Sequence, residues 1–543
     1  MKISIAFYLV FFLFGAFCVN GQTVGTIINS ADSWQGYTLL SPLSDSTTYL
    51  IDNCGQVINT WEANYAPGNN AFLDQNGNLF RAGENINPSI SNGGAGGVIE
   101  KFDWDNNLLW SYVLSDSLQR LHHDFELLPN GNLLAITWEK KDSMSSIQAG
   151  RNPALLTQGE IWIDKVIEIQ PSGINSGIVV WEWSAWDHLV QDFDNTKDNF
   201  GDISNSPRKL NINAGRSIKD WMHCNALDYN ADKDMIALSC PEMNEIYFID
   251  HSVTTIEASG SSGGNYGFGG DFLWRWGNSQ IYGQGVMSDQ ELFYQHDVSW
   301  IPSGMQDAGK LMLFNNRLDS STRSAVYVIA PDTTVTGEYA LNAGLFGPAN
   351  ASWSYDLPPG LSSNILSGAQ RLPNGNTLIC SGRNGRYIEI NELDTIVWKY
   401  VLPVTFGAII EQGNTDQSQF LFNSKRYSED FSGFIGKNLT PGPKIEINPI
   451  NNCTVYNNEV RIKENNQLGF ELYPNPANQS ITVISDLKIV EISLLDMQGR
   501  IVYKDSNLLK NKLSVDIQKF HKGVYLVIIE TASNLFTKRL IVD

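Results

Sequence analysis

Short apolar runs closed by tight polar turns fill most of the chain, and two phrases recur among them. The first is a polar residue, a short stretch, then a turn of the Pro-Asn-Gly-Asn kind leading into an apolar strand. It reads His123 through Pro129-Asn130-Gly131-Asn132-Leu133-Leu134, and His296 through Pro302-Ser303-Gly304, with the His six residues before the Pro in both. A third copy starts at His223 and carries Tyr229 where the Pro would stand. Ser367, before Pro373-Asn374-Gly375-Asn376, and Asn69, before Gln75-Asn76-Gly77-Asn78, hold the same register.

The second phrase is an apolar strand, ending in an acid in most copies, followed by a turn and a strand containing Trp. It recurs with Trp61, Trp110, Trp181, Trp274, Trp353 and Trp398. Six copies at blade-like spacing predict an all-β, six-bladed β-propeller over residues 22–436, with the repeated Trp buried between sheets. The polar phrase then begins each inner strand, so Asn69, His123, His223, His296 and Ser367 are expected around one mouth of the central channel. Closure is expected from Gly36-Tyr37-Thr38-Leu39-Leu40 pairing near Phe420-Leu421-Phe422. An insertion running from Trp186 through His188 to Lys209 reads as a binding loop on one face.

The ends have a different character. Met1-Lys2, an apolar run to Val19 and Asn20-Gly21-Gln22 read as a secretory signal over residues 1–21. Phe17 before Cys18 fits a lipoprotein cleavage site poorly. The remaining sequence contains no apolar stretch long enough for a transmembrane segment, so a soluble mature protein is expected. Residues 437–467 read as a linker. Residues 468–543 read as a small β-sandwich of alternating strands.

Composition narrows the function. The formal charge of −21, from 58 acidic and 37 basic residues, argues against nucleic acid as a partner. Of the six cysteines, Cys18 leaves with the signal; the odd remainder is no disulfide scaffold, although Cys224 and Cys240 are candidates for one pair. Fifteen Trp, 20 Tyr and 46 Gly suit strands joined by tight turns.

Three histidines in one repeat register form a cluster, whereas a single histidine at a strand start is ordinarily a satisfied polar residue. Imidazole serves near neutral pH as nucleophile, acid–base group or metal ligand. Arg317 ends the strand that His296 begins, and its planar fork suits sulfate or phosphate oxygens as well as it suits solvent. Arg383, after Ser367, is a weaker candidate of the same kind, and His188 is a candidate substrate contact in the insertion. Asp192, Asp194, Asp198 and Asp202 lack the spacing of a calcium loop. His251 and His521 lie outside the register and receive no role. No cofactor or metal ligand set is assigned.

Two resemblances follow from these motifs. Leu472-Tyr473-Pro474-Asn475-Pro476, Leu495-Asp496-Met497-Gln498-Gly499-Arg500 and Lys522-Gly523-Val524-Tyr525 resemble the type A C-terminal sorting domain of the type IX secretion system of Bacteroidetes. That implies secretion machinery as a partner, and release or anchoring at the outer-membrane surface. Asp220-Trp221-Met222-His223-Cys224-Asn225, Gln295-His296-Asp297, Asn316-Arg317 and Ile396-Val397-Trp398-Lys399-Tyr400 resemble the arylsulfotransferase family. That resemblance implies transfer of a sulfuryl group from an aryl sulfate to a phenol through a sulfated histidine, without a nucleotide donor. His223, His296 and Arg317 match the stabilising set.

The family's nucleophile is expected on the strand after the arginine, where this chain has Ser367 and no histidine. His123 takes that role, or His223 or His296 does, or the fold only binds. Two rival functions therefore stand beside transfer: a propeller capturing anionic or glycan ligands, and a metal-dependent hydrolase or lyase using the histidines as ligands.

Overall fold

The structure, a computed structural model, describes residues 22–449 except 319–321, 335–336 and 415–418, then residue 453, then 470–543 except 497–499 and 532–534. The expected signal over residues 1–21 lies outside them. The chain divides into two compact units between residues 456 and 457.

The first unit is the six-bladed propeller. Blades one to four are four-stranded antiparallel sheets over 66–113, 119–184, 226–276 and 296–356. Blade five, 368–401, gains Gly25–Asn29 as a fifth, outer strand. Blade six is built from both ends of the unit: Lys425–Ser428 is innermost, followed by Gly36–Leu40, Thr47–Ile51 and Val57–Glu62. Closure therefore uses Gly36–Leu40 as expected, but its ladder partner is Lys425–Ser428. Leu421 forms only an isolated bridge to Pro42, because the chain at Phe422 turns toward the channel, where its ring lies 6.2 Å from that of His123.

Each repeated Trp has a specific task. The indole N–H groups of Trp61, Trp110, Trp181, Trp274 and Trp398 donate to carbonyls of Asp103, Ser176, Val253, Gly347 and Asn53, in every case in the next blade, at 2.7–2.9 Å. A buried indole needs such a partner, and burying the ring contributes roughly 2–3 kcal/mol. Trp353 is half-buried and instead lies under the Arg371 guanidinium of blade five, 5.0 Å from the ring centre. The apolar cores lie between neighbouring sheets, as where Phe72, Ile99 and Trp110 meet Phe125, Leu133 and Ile167.

A belt of side-chain bonds joins the inner strands around the axis. Asn70 donates to Phe125 O (3.1 Å), Asp124 accepts from Leu227 N (2.9 Å), and Asp228 accepts from Trp300 N (2.6 Å). Asp297 accepts from Ala369 N (3.0 Å), Gln370 from Arg426 N (2.7 Å), and Asn423 donates back to Asn70 (2.9 Å). Every blade is thereby tied to the next by a group that would otherwise sit unpaired in the channel wall.

The stretch read as the start of a linker lies on the propeller. Val57 N donates to Pro443 O and Gly442 N to Val57 O, so residues 442–443 cover the exposed edge of blade six. Disulfides join Cys54 to Cys453 and Cys224 to Cys240, leaving Cys380 buried and free. The second unit is small and all-β. Its strands form one sheet, curled until nearly closed around Ile481, Val483, Ile492, Leu494, Val527, Ile529 and Leu540. Among the described residues no helix is long and apolar enough to cross a membrane.

Candidate active site

The polar phrase shares a backbone kink as well as a register. Asn69, His123, His223 and Ser367 all have positive φ (97°, 50°, 53° and 87°), and in the fourth copy Asp297, one residue after His296, has φ 56°. Such conformations are costly for residues other than glycine and persist where the surroundings impose them. Here they bend these inner strands at the channel mouth, and in the His123 and His223 copies they aim the imidazoles at each other.

Three imidazoles meet there. The rings of His123 and His223 stand edge to face, 4.6 Å between centroids. His296 is close enough to disfavour protonation of His123, and His223 does the same to His296. Its Nδ1 faces Asn316 Oδ1 (2.7 Å) and Tyr294 O (3.1 Å), and its Nε2 accepts from Leu366 N (3.3 Å). Asn316 is oriented by donating to Ser363 O and Leu366 O. Burial pushes the His296 pKa down to about 4, so this ring is neutral at pH 7.

Carboxylates reach the site from outside the register. Asp220 Oδ2 lies 2.5 Å from His223 Nδ1 and also accepts from Asn92 (2.7 Å). Burial works against a charged His223, but the carboxylates of Asp220, Asp164 and Glu242 together outweigh it and raise the pKa above the ordinary histidine value. Sequence reasoning passed over His122, whose Nδ1 is 2.9 Å from His123 Nδ1 and whose ring stacks on Trp138 at 4.0 Å. His122 Nε2 is 3.1 Å from Asp164 Oδ1, a contact bent away from the hydrogen-bond direction, with Asp164 Oδ2 left unpartnered. The signals were faint: a histidine doublet at the repeat position, and an Asp three residues before His223.

Arg317 is half-buried, its guanidinium 4.0 Å over the ring of Tyr294. Among the described residues no carboxylate pairs with it. Arg216, on the same ring at 5.5 Å, is already paired with Glu242. Arg383 is exposed, its guanidinium 4.8 Å over Phe420, and its backbone N–H bonds Ser363 Oγ.

Two candidates are occupied elsewhere. Ser367 is fully buried and its hydroxyl accepts from Gly382 N (2.9 Å), shaping the turn instead of facing the mouth. His188 is buried against Trp183, with Nδ1 on Asp271 (2.8 Å) and Nε2 on Ala258 O (2.8 Å), which anchors the insertion to blade three. The structure does not bring it to the ring histidines.

A six-bladed propeller with imidazoles and carboxylates gathered on its axis defines the class: a propeller whose chemistry sits at the channel mouth. The model of the family described as "Arylsulfotransferase (ASST)" matches residues 27–429, and the chain belongs to that family. Residues 471–543 match the secretion system C-terminal sorting domain, which marks the chain for export to the cell surface or beyond it. No curated protein matches the chain. Solved structures that the chain matches include a protein of unknown function from Bacteroides caccae, 9% identical, covering 73% of this chain and 100% of that one at a TM-score of 0.38. A periplasmic gluconolactonase from Pseudomonas aeruginosa is 10% identical over 73% of this chain and 99% of its own, at a TM-score of 0.37. A streptogramin B lyase is 11% identical over 72% and 89%, at 0.33.

Proposed function

We propose that the exported propeller transfers a sulfuryl group from an aryl sulfate to a phenol through a sulfated histidine, by a ping-pong route with no nucleotide donor. The observation that carries this reading is the meeting of His123, His223 and His296, from blades two, three and four, with the guanidinium of Arg317 lying over Tyr294, two residues before His296, and paired with no carboxylate among the described residues. An imidazole attacks sulfur, and Arg317 and the remaining histidines neutralise the sulfuryl oxygens. The phenolate departs with a proton supplied at the mouth. Loss of one such preorganised donor costs on the order of 10²–10³ in rate. Arg383 over Phe420 is a further contact for the donor at the rim.

A second reading, a propeller that only binds anionic or glycan ligands, is favoured by Ser367, whose buried and engaged hydroxyl supplies no nucleophile at the family's expected position. The test is release of phenol from a chromogenic aryl sulfate with and without a phenolic acceptor. Acceptor-dependent turnover lost in Arg317→Ala supports transfer. A folded protein that binds the donor and never turns it over supports the binding propeller.

A further inference from the structure

The three ring histidines differ in what engages their nitrogens. His296 has both occupied, Nδ1 by Asn316 and Tyr294 O, and Nε2 by Leu366 N–H. His223 has Nδ1 on Asp220, and a carboxylate there favours the imidazolium, which has no lone pair to offer. His123 differs from both. Its Nδ1 meets His122 Nδ1, and no hydrogen bond engages its Nε2 among the described residues.

The tautomers follow from the neighbours. Asp164 accepts and never donates when ionised, so a neutral His122 carries its proton on Nε2, toward the carboxylate. His122 Nδ1 is then an acceptor, His123 places its proton on Nδ1 to meet it, and His123 Nε2 keeps its lone pair. Trp138, stacked on His122, holds that ring in place. Gly94 packs against the Nε2–Cε1 edge, where a Cβ would lie 1.9 Å from both atoms, so only a glycine leaves this nitrogen free of a side chain.

Resting on the transfer reading, we infer that His123 Nε2 takes the sulfuryl group and that His122 and Asp164 are positioning residues that keep this nitrogen unprotonated. The His123 lone pair forms the N–S bond while the S–O bond to the aryl group breaks. The bond's electron pair leaves on the phenolate oxygen, which takes the proton from His223 Nε2. Positive charge on the sulfated ring is shared through Nδ1–H toward His122 and balanced by Asp164. In the second half, His223 recovers a proton from the acceptor phenol, the phenol oxygen bonds sulfur, and the N–S pair returns to His123. Burial, and then the nearby His223, His122 and His296, hold the His123 pKa well below the ordinary value, in keeping with a neutral nucleophile.

The test uses the mature protein mixed with 4-nitrophenyl sulfate without acceptor, quenched in alkali and mapped by peptide mass. A burst of nitrophenol with one sulfuryl group on the peptide holding His123 is expected, and neither in His123→Ala. Label on His223 or His296 while turnover persists overturns the assignment alone. No turnover by the wild type with any donor sinks the transfer reading, and this one with it.

Asp164→Asn keeps an oxygen at the Oδ1 position, which faces both Cys224 N (3.2 Å) and His122 Nε2 (3.1 Å), and removes only the charge that balances the sulfated ring. The expected result is a burst rate down on the order of 10²-fold at unchanged KM. His122→Phe, which retains the stack on Trp138, is expected to slow the burst comparably. Wild-type bursts in both variants overturn the relay.

Discussion

His123 and His223 stand edge to face with opposite protonation preferences, and that difference is chemically useful. A ring whose protonation is disfavoured beside one whose protonation is favoured supplies a nucleophile and a proton donor at the same pH. The sign of the pH dependence follows from His223, whose pKa lies above the ordinary histidine value because Asp220, Asp164 and Glu242 together outweigh burial. Protonated His223 is present below that pKa and lost above it. With a poor leaving group, the first-half rate is therefore expected to fall as pH rises through the His223 pKa, and His223→Gln is expected to flatten that limb. A limb unchanged in His223→Gln would remove this residue as the acid. Gly94, at φ +80°, sits against His123 with no room for a Cβ. Gly94→Ala is expected to displace the His123 ring and lower the transfer rate on the order of 10²-fold or more, with donor binding retained. The measurement is burst rate beside donor affinity. The histidine register was legible in the sequence because repeats put equivalent residues in equivalent places. His122 was not, because alternate residues of a regular strand face opposite ways. Only the kink at His123, with the ladder irregularity opposite it between Ala135 and Thr137, brings two successive rings together. Asp164 comes from the third strand of its blade, at no spacing that a linear pattern marks.

At the level of elements, the two repeated phrases are the two ways the blades hold one another: Trp at the outer side, and polar groups along the channel. The Trp pattern was readable because six large residues recur against turns, and burial between sheets is the stable place for them. The belt was not, since its members stand at different offsets from the repeat: Asp124 and Asp297 directly follow the histidines, whereas Asp228 comes five residues after His223. Within that channel Lys425 faces Asp297, Glu126 and Asp228, whose attraction outweighs its burial and raises its pKa. Burial raises the carboxyls, to about 6 for Asp228 and Asp297 and about 8 for Glu126. An acid with a raised folded-state pKa contributes stability at low pH and loses it as pH climbs through that value. Lys425→Met removes the compensating charge. It is expected to cost little at pH 5 and about 2–4 kcal/mol at pH 8, channel water moderating the full loss of a buried pair. Denaturant unfolding at the two pH values measures this. An equal cost at both would contradict the charge account.

For the whole molecule, the propeller closes in two ways. Blade six takes its inner strand from residues 425–428 and the rest from residues 36–62, so neither end of the unit folds as a blade alone. Beyond this, residues 442–443 cover its edge and Cys453 is bonded to Cys54, 399 residues away in sequence. An odd cysteine count gave no sign of that pair. Cross-linking so long a loop is worth about 2–5 kcal/mol in the chain-entropy picture. The double variant Cys54→Ser/Cys453→Ser is expected to unfold at lower temperature while its transfer rate at 25 °C stays near wild type, since both residues lie away from the histidines. Loss of rate with no loss of stability would mean that the strap acts on the site. The sorting domain at the C-terminus and the family match over the propeller make this an exported member of the arylsulfotransferase family. Its central chemical claim is a covalent intermediate on a histidine. The most direct test is the initial-rate pattern with aryl sulfate and phenol both varied. Parallel double-reciprocal lines, with donor cleaved before acceptor binds, are the result expected. Intersecting lines, or cleavage that occurs only with both substrates bound, would contradict a sulfated histidine.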